Sequence, residues 1–269
     1  MSVRLIGWPF HNGLPDTGGA LGPARLLQDR SETADWVAPV DTTLPEVARI
    51  IELDRRLARK VSGAVEDGAL PIVLAGDCVS CLGTVGGVGS PGIGVVWLDA
   101  HADFDTPDDT ESAFFDVMAL AILTGAARRR QRESIPGLAP VAEERVILGA
   151  VRDLEAYQRE RLEDSAVRTV EVERWEHDFP RALDELHKRA SDVYLHIDVD
   201  SLDPSEGVAN QWAAPAGLAL AQVLDAIAAV RERFNVRAAA ITAFDPDHDA
   251  DGRMARSAGR ILDALVDGA

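Results

Sequence analysis

GVVWLDAHADFDTP, residues 94–107, is the stretch on which the reading of this chain turns. It opens as an apolar, β-branched run and ends in carboxylates that alternate with one imidazole. A strand that is apolar at successive positions is buried on both faces, the habit of a parallel sheet between two helix layers. Six further runs read as strands: VRLIGW (3–8), LPIVLA (70–75), RVILGA (145–150), VRTVEV (167–172), VYLHIDVD (193–200) and VRAAAITAF (236–244). Helical patterns occupy the intervals around 44–66, 114–131, 153–164, 176–190, 218–233 and 251–267. This alternation predicts a doubly wound α/β fold in a single domain over 1–269. The polar loop at 131–143 is too short to divide it, and no repeat or low-complexity tract interrupts it.

Ligands of open α/β sheets bind beyond the carboxyl ends of the strands, so the residues that follow each strand carry the functional signal. Asp99, His101 and Asp103 are spaced by two and face the same way on an extended segment. Asp198 and Asp200 repeat that spacing at another strand end, and Gly76-Asp77-Cys78 follows a third. Such groups converging on one point repel one another unless cations neutralise them. A single ion takes three or four protein ligands, so the count suits two. Two divalent ions about 4 Å apart share a water, lower its pKa and aim it at a carbon electrophile. One D-x-D alone is common in turns. Two carboxylate pairs and a D-x-H-x-D, each at a strand end, are not.

Composition narrows the partners. With 27 Lys+Arg against 45 Asp+Glu the net charge is −18, which excludes the basic footprint of a nucleic-acid binder and a surface held by anionic lipid. A hydrophobic content of 46% suits a packed core. The two cysteines, Cys78 and Cys81, are too few for a disulfide framework, and the N-terminus has no apolar run long enough for a signal peptide. The uncharged stretch from 78 to 98 carries six glycines and a proline and reads as loop, short helix and strand, not as a membrane span. The expectation is a cytoplasmic protein with a small-molecule substrate.

WLDAHADFDTP (97–107) and HIDVDSLDPS (196–205) resemble the two aspartate-rich signatures of the arginase (ureohydrolase) family. AGDCVS (75–80) is similar to its G-G-D-H-S segment, and Gly18, Gly19, Gly22-Pro23 and VRD (151–153) extend the likeness over nearly the whole chain. The resemblance implies a three-layer α/β fold and a binuclear manganese centre, two Mn2+ ions. Carried over position by position, the ligands would be Cys78, Asp99, His101, Asp103, Asp198 and Asp200. By the same analogy Asp99 and Asp198 bridge the ions, and Asp103 also orients the bridging hydroxide. Substrate amino-acid groups would be held at Asp105, Ser112 and Glu155, with Glu155 suited to an ammonium and Asp105 replacing the usual Asn.

Three departures bear on the substrate. Cys78 stands where the family has a metal-binding His; a thiolate is softer and adds negative charge. Asp116 falls where arginases place a proton-shuttling His, and Ala243 where the family has a Glu that pairs with the guanidinium. A methyl group cannot balance that cation, so arginine is an unfavourable substrate. An N-hydroxyguanidine is less basic and needs neither group. The pattern is similar to that of a branch of the family that converts Nω-hydroxy-L-arginine and water to L-ornithine and hydroxyurea for antibiotic (D-cycloserine) biosynthesis. Another guanidine or amidine substrate, or a catalytically silent metal-binding relative, is the alternative. Cys81 reads as core, His11 and His248 border the rim without an assigned role, and the short C-terminus together with the charge predicts a monomer.

Overall fold

The computed structural model describes residues 2–108, 110 and 114–268. Among them eight strands form one sheet: β1 (Ser2–Trp8), β2 (Asp35–Trp36), β3 (Ala69–Ala75), β4 (Gly94–Leu98), β5 (Val146–Gly149), β6 (Arg168–Val170), β7 (Asp192–Asp198) and β8 (Asn235–Thr242). Their order is β2-β1-β3-β8-β7-β4-β5-β6, and every pairing is parallel. The helices are α1 (Gly22–Leu27), α2 (Glu46–Glu66), α3 (Cys81–Val88), α4 (Ala119–Thr124), α5 (Arg129–Glu133), α6 (Ala156–Glu163), α7 (Trp175–His187), α8 (Leu220–Arg233) and α9 (Arg253–Asp267).

The period of two along each strand divides the core into two layers. On one face Trp8, Val73, Val95, Trp97 and Tyr194 pack under α2, α3 and α4. On the other Ile72, Val96, Leu195 and Ile241 pack under α7, α8 and α9. This is the expected three-layer α/β arrangement. The seven anticipated strands all form, and the two-residue edge strand β2 adds an eighth. It is too short to leave a periodic signal.

One expected helix breaks. The stretch 114–131 divides into a 3-10 turn at 116–118, α4 and α5. Gly125, at φ +103, ends α4 in the left-handed conformation that a glycine adopts without steric cost. The short α4 has a positioning task. Its Leu120 and Ala121 amides donate to the Asp103 carbonyl at 2.9 and 3.2 Å. These bonds hold Asp103 in the left-handed region, at φ +47. Ala150 and Ala243, the residues that follow β5 and β8, share that conformation at φ +72 and +62. Each costs on the order of 1–2 kcal/mol for a residue with a Cβ, and all three lie at the carboxyl edge of the sheet.

Candidate metal centre

β3, β8, β7 and β4 are neighbours at the middle of the sheet, so their carboxyl ends meet at one point. β3 delivers Cys78 through a glycine: a Cβ on Gly76 would collide with the Phe10 carbonyl, so the chain turns there against the loop after β1. β4 delivers Asp99, His101 and Asp103, and β7 delivers Asp198 and Asp200. The register sets Trp97 beside His196 and Leu98 beside Ile197 on the adjoining strand, which brings Asp99 and Asp198 side by side. Two triads of potential donor atoms result, Cys78 with Asp99 and His196, and Asp99 with His101 and Asp200. Within each triad the ligand atoms lie within 4.8 Å of one another, and Asp99 belongs to both. A carboxylate shared between two triads is what a pair of ions requires.

The aspartates are oriented by short bonds. Asp99 accepts from the Trp97 indole at 2.9 Å and from the His101 amide at 2.7 Å. Asp198 accepts from the Asp200 amide at 2.8 Å, and Asp200 accepts from the Ala100 amide at 3.1 Å. Asn210 donates to Asp200 at 3.2 Å and to the Ala243 carbonyl at 3.1 Å. Arg152 clamps the loop behind Asp200 with its planar fork, donating to the carbonyls of Asp200 at 2.8 Å, Ala214 at 2.7 Å and Pro215 at 2.9 Å.

The charge balance fits divalent ions. Burial, reinforced by neighbouring carboxylates, pushes the pKa values of Asp99, Asp103 and Asp198 above the usual range. Burial also raises the Cys78 thiol, with Asp198 adding to it, and the thiol lies 2.9 Å from Asp198 Oδ2. For His101 burial opposes the charge, yet Asp200 and Asp99, at 3.3 and 3.5 Å, outweigh it and push the imidazole up to about 12. A proton thus sits where two acidic ligands call for a cation. Asp103 Oδ2 is buried without a hydrogen-bond partner, a group with a lone pair to give. Carboxylates, one imidazole and one thiol form a donor set that accepts first-row divalent ions.

A cavity of about 440 Å3 opens above this floor. Cys78, His101, Asp103, Asp198 and Asp200 line it, and Asp99 lies beneath them, 1% exposed. The expected substrate residues fall elsewhere. Asp105 is buried, accepting from the Tyr157 hydroxyl at 3.0 Å and the Gln158 amide at 2.9 Å, and does not line the cavity. Its carboxylate ties the loop after β4 to α6, which replaces the recognition task expected of it. Glu155 is exposed at the start of α6, where its amide donates to Gln158 Oε1 at 2.9 Å, and it too is absent from the lining. Ser112 lies outside the described residues.

The wall instead includes Gln158, Asn210, Phe114 and Trp212. Phe114 and Trp212 stack at 5.8 Å, and His11, also in the wall, lies 6.0 and 6.3 Å from their rings. His11 pairs with buried Asp77 at 2.7 Å, which raises its pKa against the opposing effect of burial. Asp116 accepts from the Val79 and Cys78 amides at 2.6 and 3.2 Å, so it caps the turn that carries Cys78. Asn210 and Trp212 sit in a segment without periodicity or motif, and Gln158 sits in a helical pattern that marks no site residue, so none of them left a signal in the sequence. His196 did leave one: it lies two residues before Asp198, the spacing already used for the ligands.

A family model for the arginase family matches residues 1–266. The arginase of Staphylococcus aureus (strain MSSA476) is 28% identical over 234 residues, 76% of this chain and 77% of that protein. Among solved structures, the arginase of Bacillus subtilis superposes with a TM-score of 0.85 at 22% identity, covering 99% of this chain and 98% of that one. The formimidoylglutamase of Bacillus subtilis subsp. subtilis str. 168 shares the fold at a TM-score of 0.78 and 16% identity, covering 100% of this chain and 88% of its own. With the sheet, the paired carboxylates and the family match in agreement, the chain belongs to the arginase family, hydrolases that act on the C–N bonds of guanidino and amidino groups.

Proposed function

We propose that this protein hydrolyses Nω-hydroxy-L-arginine to L-ornithine and hydroxyurea, which would supply hydroxyurea to antibiotic (D-cycloserine) synthesis. Cys78, Asp99, His101, Asp103, Asp198 and Asp200 would hold two Mn2+ ions. When bound, the ions supply Lewis-acid activation of the carbonyl-like guanidine carbon and of water.

One observation carries the choice of substrate: among the described residues outside this ligand set, each carboxylate of the cavity wall already has a partner within the protein. Asp77 is bonded through one oxygen to His11 and through the other to the Asn12 amide, both at 2.7 Å. The two oxygens of Asp116 serve the Cys78 and Val79 amides. Asp245 accepts from the Asp247 amide at 3.0 Å and turns its other oxygen toward His248 at 3.7 Å. Ala243 contributes only a methyl group to the lining. A strongly basic guanidinium loses its hydration in such a cavity and gains no counter-charge, which is costly. A neutral N-hydroxyguanidine avoids that cost. Its hydroxyl suits the polar groups of the wall, and Phe114 and Trp212 offer flat surfaces to the substrate's methylenes.

Ornithine release by the manganese-loaded protein, with Nω-hydroxy-L-arginine and L-arginine offered separately, tests the proposal. A kcat/KM at least about tenfold higher for the hydroxylated substrate, roughly 1.4 kcal/mol of discrimination, is expected. Equal or reversed preference would return the protein to the ordinary ureohydrolases.

A further inference from the structure

His196 is fully buried on β7, and although its ring lies within reach of Cys78 and Asp99 in one of the two donor triads, the proposed ligand set assigns it no part. Four neighbours fix its ring. The Tyr194 hydroxyl lies 2.8 Å from Nδ1. Nε2 lies 3.3 Å from Cys78 Sγ and 3.2 Å from Thr242 Oγ1. Trp97, the register partner of His196 on β4, stacks on the ring with centroids 3.6 Å apart and planes at 13°.

The pattern of donors selects one tautomer. Tyr194 is fully buried, and His196 Nδ1 is the acceptor within reach of its hydroxyl among the described residues. A buried hydroxyl donates to the acceptor it has. Nδ1 is therefore the lone-pair nitrogen of the ring. A neutral imidazole with an acceptor at Nδ1 carries its N–H at Nε2, which faces the sulfur and the Thr242 hydroxyl. The stack on Trp97 removes the freedom to turn that N–H away.

We infer that His196 is a positioning residue: it donates its Nε2–H to the sulfur of Cys78, fixing that atom and withdrawing electron density from it when the thiolate binds a metal ion. The inference rests on Cys78 being a ligand, as proposed above, and is independent of the substrate. A hydrogen bond to a ligating sulfur weakens its donation, as outer-shell partners tune ligands generally. In this centre it would temper the softness that a thiolate brings among hard carboxylates. Tyr194, His196 and Cys78 then form a chain of donors, from hydroxyl to imidazole to sulfur, built on one face of the sheet.

Cobalt(II) is the probe, because a thiolate bound to it gives a near-ultraviolet charge-transfer band that reports sulfur electron density. The full-length protein, freed of metal and reloaded with Co2+, should show the band, and Cys78→Ser should lack it. In His196→Leu the band should move to lower energy, and Co2+ affinity should fall about 10–100-fold. His196→Gln, whose side-chain amide presents an N–H at about the reach of Nε2, should recover most of both. Long-range 15N–1H correlation in the Zn2+-loaded wild type needs no variant and should place the ring proton on Nε2. A proton on Nδ1, or an unprotonated Nε2, would overturn the inference. So would a His196→Leu band and affinity equal to those of the wild type, which would leave the ring as core packing. Absence of the band from the wild type would remove the ligand assignment of Cys78 and this inference with it. A band that is present but unmoved removes the inference alone.

Discussion

The floor of the cavity is built from strand ends and its rim from loops, and the two relate to the sequence differently. On the floor, Asp99 and Asp198 are placed by the ends of β4 and β7 and the register between them, and His101 and Asp200 by the turns that follow at once, where the expected extended spacing does not continue. The strand end fixes where each motif begins, and the sheet supplies the convergence. On the rim, Asp105 and Glu155 sit at plausible positions in the chain, yet the Asp105 carboxylate is turned to internal bonds and Glu155 is exposed outside the lining. Gln158, Asn210 and Trp212 line the cavity in their place. The difference teaches that spacing is informative where backbone geometry is regular. A loop residue must be seen with its partners before a task is assigned to it.

The contrast can be broken at the floor first. Asp99→Ala, which removes the carboxylate common to both triads, should abolish paired metal binding and lower turnover by several kcal/mol, about 1,000-fold or more. Metal analysis alongside kinetics checks it, and an undiminished metal content would refute the shared position. Next in size is the effect of pH on metal affinity. His101, raised to about 12, and the raised Cys78 thiol must both lose protons to ligate. Protons and ions compete for them, so affinity should climb as pH rises from 6 to 8, by about 10-fold per unit for each proton released. Calorimetry in buffers of different ionisation enthalpy counts those protons, and Cys78→Ser should release one fewer.

At the rim the effects should be smaller and of another kind. Asp105→Ala leaves the Tyr157 hydroxyl and the Gln158 amide without their acceptor. It should cost about 1–3 kcal/mol of stability, read as a lowered Tm, with little change in KM once the protein is folded. A large rise in KM at unchanged Tm would restore Asp105 to substrate recognition. The smallest change expected is in Ala243→Glu, which returns a carboxylate to the wall. Relative kcat/KM should shift toward arginine by about tenfold, offset in part by the φ of +62 at that position, where Glu is no easier than Ala. No shift would show that the missing carboxylate does not set the preference.

The sequence by itself determined the layers and the floor. Seven strands, their burial on both faces, the three-layer arrangement and the groups gathered at the strand ends all follow from local periodicity, which backbone geometry imposes wherever it is regular. It also places His196 at the same spacing of two from Asp198 that separates the aspartates. Only the tertiary structure decided the rest. The amides at the start of α4 serve the Asp103 carbonyl, a partner in the loop after β4 and outside that helix. The pairing of Asp77 with His11, the five carbonyls of 200–202 and 214–215 gathered by Arg152 and the stack of His196 on Trp97 depend on registers between separate elements. Such contacts join residues tens of positions apart, and a hydrogen bond is specified by both of its ends.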